Sequence, residues 1–111
     1  MDKIDSAGSE SDCITAHETP HGFWWRYQHS ADEPEDTFIA AIMIACDIAS
    51  GEARARNKTY IVASSSWPGR AVYVFACDHP DARSITINAM FEFTPAGERI
   101  RHPGLRAVTR Q

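Results

Sequence analysis

The sequence lacks a long apolar run, and its first residues lack the apolar core of a secretory signal. The longest apolar run, Phe38 to Cys46, has nine residues, whereas a membrane-spanning helix needs about 20. The opening segment, MDKIDSAGSESD, consists of small, polar and acidic residues together with a single isoleucine, which is not the composition of a signal peptide. These absences predict a cytoplasmic protein without a membrane segment.

Cysteine is scarce, and its spacing excludes two common small-protein scaffolds. The three cysteines, Cys13, Cys46 and Cys77, are widely separated along the chain. An odd number without short spacings does not form a disulfide framework or a zinc ribbon. We therefore expect no structural metal or other cofactor, and we expect Cys46 and Cys77 to be small buried side chains.

The pattern of a zinc protease, H-E-x-x-H, occurs at residues 17–21 without the helix that it requires. On a helix the two histidines share one face and the glutamate acts as general base. Pro20 lies inside the pattern and disfavours a helical conformation at Thr19 before it. Gly22 follows immediately, where a helix would have to continue. We therefore predict that His17 and His21 are not zinc ligands.

A catalytic nucleophile is equally poorly supported. Cys77 and His79 lie close in sequence, but Pro80 marks the end of a strand and makes His79 a turn residue. A nucleophilic cysteine needs its histidine within hydrogen-bond reach in space. We predict no catalytic cysteine here.

Charge is distributed unevenly along the chain, whose net charge is −4. Residues 1–36 contain nine acidic and two basic residues, and residues 37–111 contain six acidic and nine basic residues. Overall acidity argues against a general nucleic-acid binder. The acidic first third could instead steer association with a basic partner surface. Contact with nucleic acid through the C-terminal arginines Arg99, Arg101, Arg106 and Arg110 remains an alternative.

The order of predicted elements indicates an α+β fold. We expect a flexible acidic leader over residues 1–20 and a single domain over residues 21–111. Alternation from Phe23 to Tyr27 predicts a strand. Ser30 and Glu33 have the spacing of a capping box, which predicts a helix start before a largely buried helix that Ser50-Gly51 can end.

The second half of the chain is predicted to form β structure. The predicted strands run from Tyr60 to Ala63, from Ala71 to Cys77, from Ser84 to Thr94, and as a charged edge strand from Glu98 to Arg101. The third of these is predicted to place Ile85, Ile87, Ala89, Phe91 and Phe93 on one face. The expected fold is one helix packed on an antiparallel sheet of four to five strands, in the order β-α-β-β-β.

This element order, over about residues 21–101, resembles that of the cystatin-type roll and of the hot-dog fold, in which a sheet wraps a buried helix. The resemblance implies a pocket between helix and sheet, near Asp47, Tyr73 and Phe75. Hot-dog thioesterases often place an acidic residue on or near this helix, which would make Asp47 a general base. This alternative predicts an enzyme or ligand binder that forms a stable homodimer.

The favoured hypothesis is a small non-catalytic binding protein that occupies the surface of another protein. Trp24 and Trp25 are adjacent, so one of them faces outward on a strand, and tryptophan and arginine are enriched at binding hot spots. Trp67 precedes a Pro-Gly turn, where an aromatic side chain can be presented to a partner. The predicted partner-binding residues are Trp24, Arg26, Trp67, Asp32, Glu33, Glu35 and Asp36. Small inhibitors, antitoxins, immunity proteins and anti-defence proteins share this general profile.

Overall fold

The computed structural model describes residues 13–65, 69–80 and 89–101. The described elements are strands β1 (Ile14–Thr19), β2 (Gly22–Gln28), β3 (Tyr60–Ser65), β4 (Ala71–Ala76), β5 (Ala89–Phe93) and β6 (Arg99–Arg101), and helix α1 (Glu35–Arg56). All strand pairs are antiparallel, in the sheet order β1-β2-β4-β3-β5-β6. Helix α1 packs on one face of this sheet. The α+β prediction is confirmed, with six strands instead of four to five.

Strand β1 lies in the segment that the sequence predicts to be a flexible leader. Residues 14–19 pair with β2 along their whole length, with Ile14 opposite Tyr27. The hydroxyl of Thr19 donates to the carbonyl of Gly22 at 2.8 Å and accepts from the amide of His21 at 3.1 Å, which closes the hairpin turn. β1 is a polar edge strand with no buried residue, so it carries no hydrophobic alternation.

The β1–β2 turn depends on a close approach to β3. Gly22 has φ +129°, and a side chain there would run into the hydroxyl of Tyr60. That hydroxyl accepts a hydrogen bond of 2.9 Å from the amide of Phe23. Because Tyr60 is fully buried, this contact fixes the hairpin to the centre of the sheet.

The Glu33 half of the predicted capping box forms, in a turn that precedes the helix, whereas the Ser30 hydroxyl accepts from the amide of Asp32 at 3.2 Å instead of from that of Glu33. The amide of Ser30 donates to Oε1 of Glu33 at 3.0 Å, and the amide of Glu33 donates to the Ser30 carbonyl at 3.0 Å. Pro34 is extended and forms no side-chain cap. α1 therefore begins at Glu35, later than the Ser30 start that the sequence predicts.

Helix α1 packs against the sheet through alanines. Its buried residues, Phe38, Ala41, Ala45, Ala49 and Ala53, recur at three- and four-residue spacing on one face. We call the last four the alanine stripe. Their short side chains allow the helix to approach a sheet face filled by β-branched and aromatic residues. The sequence predicts a largely buried helix, whereas the structure buries this one side and exposes large side chains on the other.

The helix continues through the position where the sequence predicts a stop. Gly51 is helical, and α1 ends at Arg56. Asn57 adopts a left-handed conformation with φ 55°, and the amide of Lys58 donates to the carbonyl of Ala53 at 3.2 Å. Asparagine tolerates this conformation better than most residues, so it provides the C-cap that Gly51 does not.

The sheet has an apolar cluster on each face. The helix-side cluster includes Trp25, Tyr27, Tyr60, Val62, Val72, Val74, Ala76 and Phe93. The opposite cluster consists of Ile61, Ala63, Phe75 and Ala89, with Trp24 packed against it. The register shifts between Val62 and Ala63, so Ala89 faces away from the helix although Phe91 and Phe93 face it. The predicted common face for these three residues is therefore wrong, and residues 85 and 87 lie outside the described residues.

Candidate functional site

Strand β2 places its two adjacent tryptophans on opposite faces of the sheet. Trp25 is 5 % exposed and belongs to the helix-side cluster. Trp24 is half-buried and packs against the opposite cluster. This arrangement follows from the two-residue period of a strand. One of two adjacent tryptophans on a strand must face away from the helix, and in this structure it is Trp24.

Four side chains form what we call the tryptophan surface, on the sheet face opposite the helix: His17, Trp24, Arg26 and Tyr73. His17 is directly across from Trp24 in the β1–β2 pairing, and the two rings stack at 5.0 Å between centroids. Tyr73 meets Trp24 edge-on at 6.2 Å. The guanidinium carbon of Arg26 lies 6.0 Å from the Trp24 ring centroid, at the outer limit of a cation–π contact.

Arg26 is a cation without a described counter-ion. It forms no ion pair with the residues that the structure describes, and its Nε is buried without a hydrogen-bond partner. A buried donor that forms no hydrogen bond costs free energy, because its hydration is lost and not replaced. Arg26 therefore has unused capacity to bind an acceptor group at the edge of the Trp24 ring.

The four predicted acidic residues lie together at the β2–α1 connection, but two of them are engaged within the protein. Oε1 of Glu33 accepts hydrogen bonds from the Tyr27 hydroxyl at 2.6 Å and the Ser30 amide at 3.0 Å. Glu35 forms a two-point contact with Arg70 at 2.5 and 2.9 Å. Both contacts hold the pKa of these carboxyls below its ordinary value.

Asp32 and Asp36 remain exposed at the same connection. Their carboxylates are the members of the acidic set that stay available to a partner.

A cluster of Tyr27, His29 and Glu33 was not foreseen from the sequence. The Tyr27 hydroxyl donates to Glu33 and also lies 3.0 Å from Nδ1 of His29, which must then carry the hydrogen. Burial and the hydrogen bond to Glu33 raise the pKa of Tyr27 well above its ordinary value. The hydroxyl therefore stays protonated, and its hydrogen bond to Glu33 stabilises the turn before the helix. No sequence motif marks these residues, because they come together only where the chain turns between β2 and α1.

Asp47 does not lie between helix and sheet, where the hot-dog resemblance implies a pocket. Asp47 is exposed on the side of α1 that faces away from the sheet, whereas Tyr73 and Phe75 lie on the sheet face away from the helix. The space between helix and sheet is filled by fully buried side chains, including Ala45, Val62 and Val74. The structure thus separates Asp47 from Tyr73 and Phe75 by the whole thickness of the core.

Two basic residues at the C-terminal end of α1, Arg56 and Lys58, form contacts within the protein. Arg56 binds Glu18 and Glu52, and Lys58 donates to Asp78 at 3.1 Å and to the carbonyl of His21 at 2.9 Å. Of the C-terminal arginines, Arg99 packs on the Phe91 ring at 4.9 Å. Arg106 and Arg110 lie outside the described residues, as does Trp67, and Arg101 is described only as part of β6.

Cys77 directly follows β4 and differs from its predicted burial. Cys77 is exposed instead of buried, and partial desolvation together with Glu92 and Asp78 raises the pKa of its thiol. It lines an open cleft of about 320 Å³ with Lys58, Thr59 and Asp78. Cys46 is half-buried instead of fully buried.

As predicted, the H-E-x-x-H pattern is not helical, but it spans a strand and a turn instead of a flexible leader. His17 and Glu18 belong to β1, whereas His21 lies in the turn, with its ring 5.7 Å from that of His79. Among the described residues, no group of three or more histidine, cysteine, aspartate or glutamate side chains is arranged to hold a metal ion. None of the described helices is long and apolar enough to cross a membrane.

Comparison with known proteins finds no match to a family model, to a curated protein or to a solved structure. The functional argument therefore depends on the geometry of the tryptophan surface and the charges around it.

Proposed function

We propose that this protein acts by binding another protein, without catalysing a reaction, and that Trp24 and Arg26 anchor the partner. The observation that supports this most is the guanidinium of Arg26, which forms no ion pair with a described residue, beside the half-buried ring of Trp24. Tryptophan and arginine are the residue types that most often dominate binding energy at protein interfaces. An inhibitor that covers the surface of its target fits this arrangement.

The anchor defines the chemistry that the partner must present. The planar guanidinium of Arg26 suits a carboxylate or a backbone carbonyl of the partner. The Trp24 ring, between His17 and Tyr73, suits an apolar or aromatic group. In the complex, the Arg26 guanidinium would gain a hydrogen-bond acceptor, and the Trp24 ring would exchange its remaining contact with water for contact with the partner.

Electrostatic steering would bring a basic partner surface to this protein. Residues 1–36 carry nine acidic and two basic residues, and Asp32 and Asp36 are exposed at the β2–α1 connection. Complementary charge raises the association rate and makes it sensitive to salt. We propose a partner whose basic surface surrounds the group that docks on Trp24.

The test is capture of the partner from native lysate with the tagged protein, followed by calorimetric titration of the purified partner. Trp24→Ala and Arg26→Gln should each raise the dissociation constant about 30- to 100-fold, since hot-spot truncations cost about 2–3 kcal/mol. Arg99→Gln is the matched control, because it removes one positive charge from the helix side of the sheet. Wild-type affinity in a folded Trp24→Ala/Arg26→Gln double variant would exclude this surface.

A further inference from the structure

The large apolar side chains of α1 face solvent. Ile39, Met43 and Ile44 are 48 %, 65 % and 50 % exposed, whereas the alanine stripe on the other side is buried. Ile39 and Met43 are one turn apart and form an apolar patch near the middle of the helix, and Ile44 follows Met43 further round the helix. Contiguous exposed apolar groups of this kind are typical of interaction surfaces.

Opposite charges lie at the two ends of the same helix face. Asp36 and Arg54 are 18 residues apart, which is five turns of about 3.6 residues, so they lie on one line along the helix. Met43 is close to this line between them. Both charged residues are exposed, and neither forms an ion pair with another described residue. Nη1 of Arg54 donates a 2.8 Å hydrogen bond to the Ser50 hydroxyl, and the Arg54 side chain lies against Gly97 in the turn between β5 and β6.

Near its basic end this face carries Gly51, which has no side chain. A side chain built at Gly51 would meet nothing within 4 Å, so the helix surface is open there. Glycine inside a helix is destabilising relative to alanine. A side chain from another molecule can therefore approach the helix backbone closely at Gly51.

We propose that a second copy of this chain covers this face, through antiparallel pairing of two α1 helices about a two-fold axis near residue 45. Asp36 then lies opposite Arg54 of the second copy, and Ile39 lies opposite Gly51 of the second copy. Met43 packs close to the axis. A face with an acid at one end and a base at the other is self-complementary only in this antiparallel arrangement.

Asp47 provides an internal test of the register. It lies on the same face and would be opposite Met43 of the second copy. Charged residues are depleted at the centre of interfaces because they lose hydration there. Asp47→Asn should therefore tighten the dimer, and a weaker dimer in this variant would contradict the proposed register.

The decisive experiment is sedimentation equilibrium of the full chain with reversed charges. Asp36→Arg and Arg54→Asp should each raise the dimer dissociation constant about tenfold, because each change replaces two attractions by two repulsions. The Asp36→Arg/Arg54→Asp double variant should restore dimerisation to within about threefold of the wild type, because the ends become complementary again. In a parallel pairing like charges would face each other before and after each change, so neither single variant would weaken the dimer and there would be no loss for the double variant to restore.

Met43→Glu should abolish the dimer by placing a charge near the axis, while Ile100→Glu, the same kind of change at an exposed residue of β6, should leave it intact. A wild-type chain that is monomeric at the highest soluble concentration would overturn the proposal. A dimer that survives Met43→Glu would also overturn it. The proposal is independent of the tryptophan surface, which lies on the other side of the sheet.

Discussion

The hydroxyl of Tyr27 donates a 2.6 Å hydrogen bond to the carboxylate of Glu33, which ties the end of β2 to the turn that starts the helix. Tyr27 is 5 % exposed, so its hydroxyl has little access to water in place of this partner. The contact connects the sheet to α1 at the acidic end of the molecule.

Replacing Tyr27 by phenylalanine should lower the free energy of unfolding by about 1–2 kcal/mol, because a hydrogen bond to a charged acceptor is lost from a buried position. Urea unfolding followed by circular dichroism measures this change. Tyr73→Phe is the control, since the Tyr73 hydroxyl forms no hydrogen bond with a described residue. Equal stability of Tyr27→Phe and the wild type would show that the hydrogen bond from Tyr27 to Glu33 does not stabilise the fold.

Stability should fall in acid because two carboxyls are held ionised by their contacts. The hydrogen bond from Tyr27 lowers the pKa of Glu33, and the contact with Arg70 lowers the pKa of Glu35. A pKa that is lower in the folded than in the unfolded state stabilises the fold above the ordinary glutamate pKa. This stabilisation is lost as the pH falls through the folded-state value.

Urea unfolding at a series of pH values tests this dependence. Glu33→Gln and Glu35→Gln should each flatten the acid limb of the stability curve, whereas Glu98→Gln, at an exposed turn residue, should not. If the Glu33→Gln/Glu35→Gln double variant keeps the acid limb of the wild type, the loss of stability in acid comes from other groups.

Two glycine-to-alanine substitutions should have opposite effects on the stability of the monomer. Gly51→Ala should raise the free energy of unfolding by about 0.5–1 kcal/mol, because the helix is open there and alanine is the better helix former. Gly22→Ala should lower it by about 2 kcal/mol or more, because φ is +129° and the methyl group meets Tyr60. Chemical unfolding in the Met43→Glu background separates these effects from dimerisation.

Enlarging the alanine stripe should be more harmful than enlarging an exposed alanine of the same helix. Ala49→Leu inserts three extra carbons between α1 and the sheet, at a residue with no exposed surface, and should cost about 1–3 kcal/mol. Ala55→Leu, at an exposed position of the last turn, should change stability by less than about 0.5 kcal/mol. Thermal unfolding of the two variants under identical conditions distinguishes tight helix–sheet packing from loose packing.

Most of the fold could be predicted wherever apolar residues recur with a clear period. β4, for example, is apolar at nearly every position because it pairs on both sides and is buried on both faces. β1 could not be predicted, because a solvent-exposed edge strand needs no apolar alternation. The end of α1 was misplaced because glycine can stop a helix but does so only when its conformation becomes left-handed, and Asn57 has that role here.

The candidate site was less accessible to sequence reasoning than the fold. Trp24 and Arg26 could be placed on one face by the strand period, but their contacts with His17 and Tyr73 depend on the strand order. The proposed role of Asp47 depended on which helix face meets the sheet. Apolar residues surround α1 on most sides, so hydrophobicity alone did not distinguish the alanine stripe from the outer face of Ile39, Met43 and Ile44.

The strand order also determines how this chain can fold. β1 with β2, β3 with β4, and β5 with β6 are hairpins of neighbouring segments, whereas β2 joins β4 across the whole of α1 and β3. Tyr27 pairs with Val72, so this junction closes a long loop before its contacts can stabilise it. Folding speed should therefore be limited by docking of the first hairpin onto the second, since pairing between distant segments slows folding.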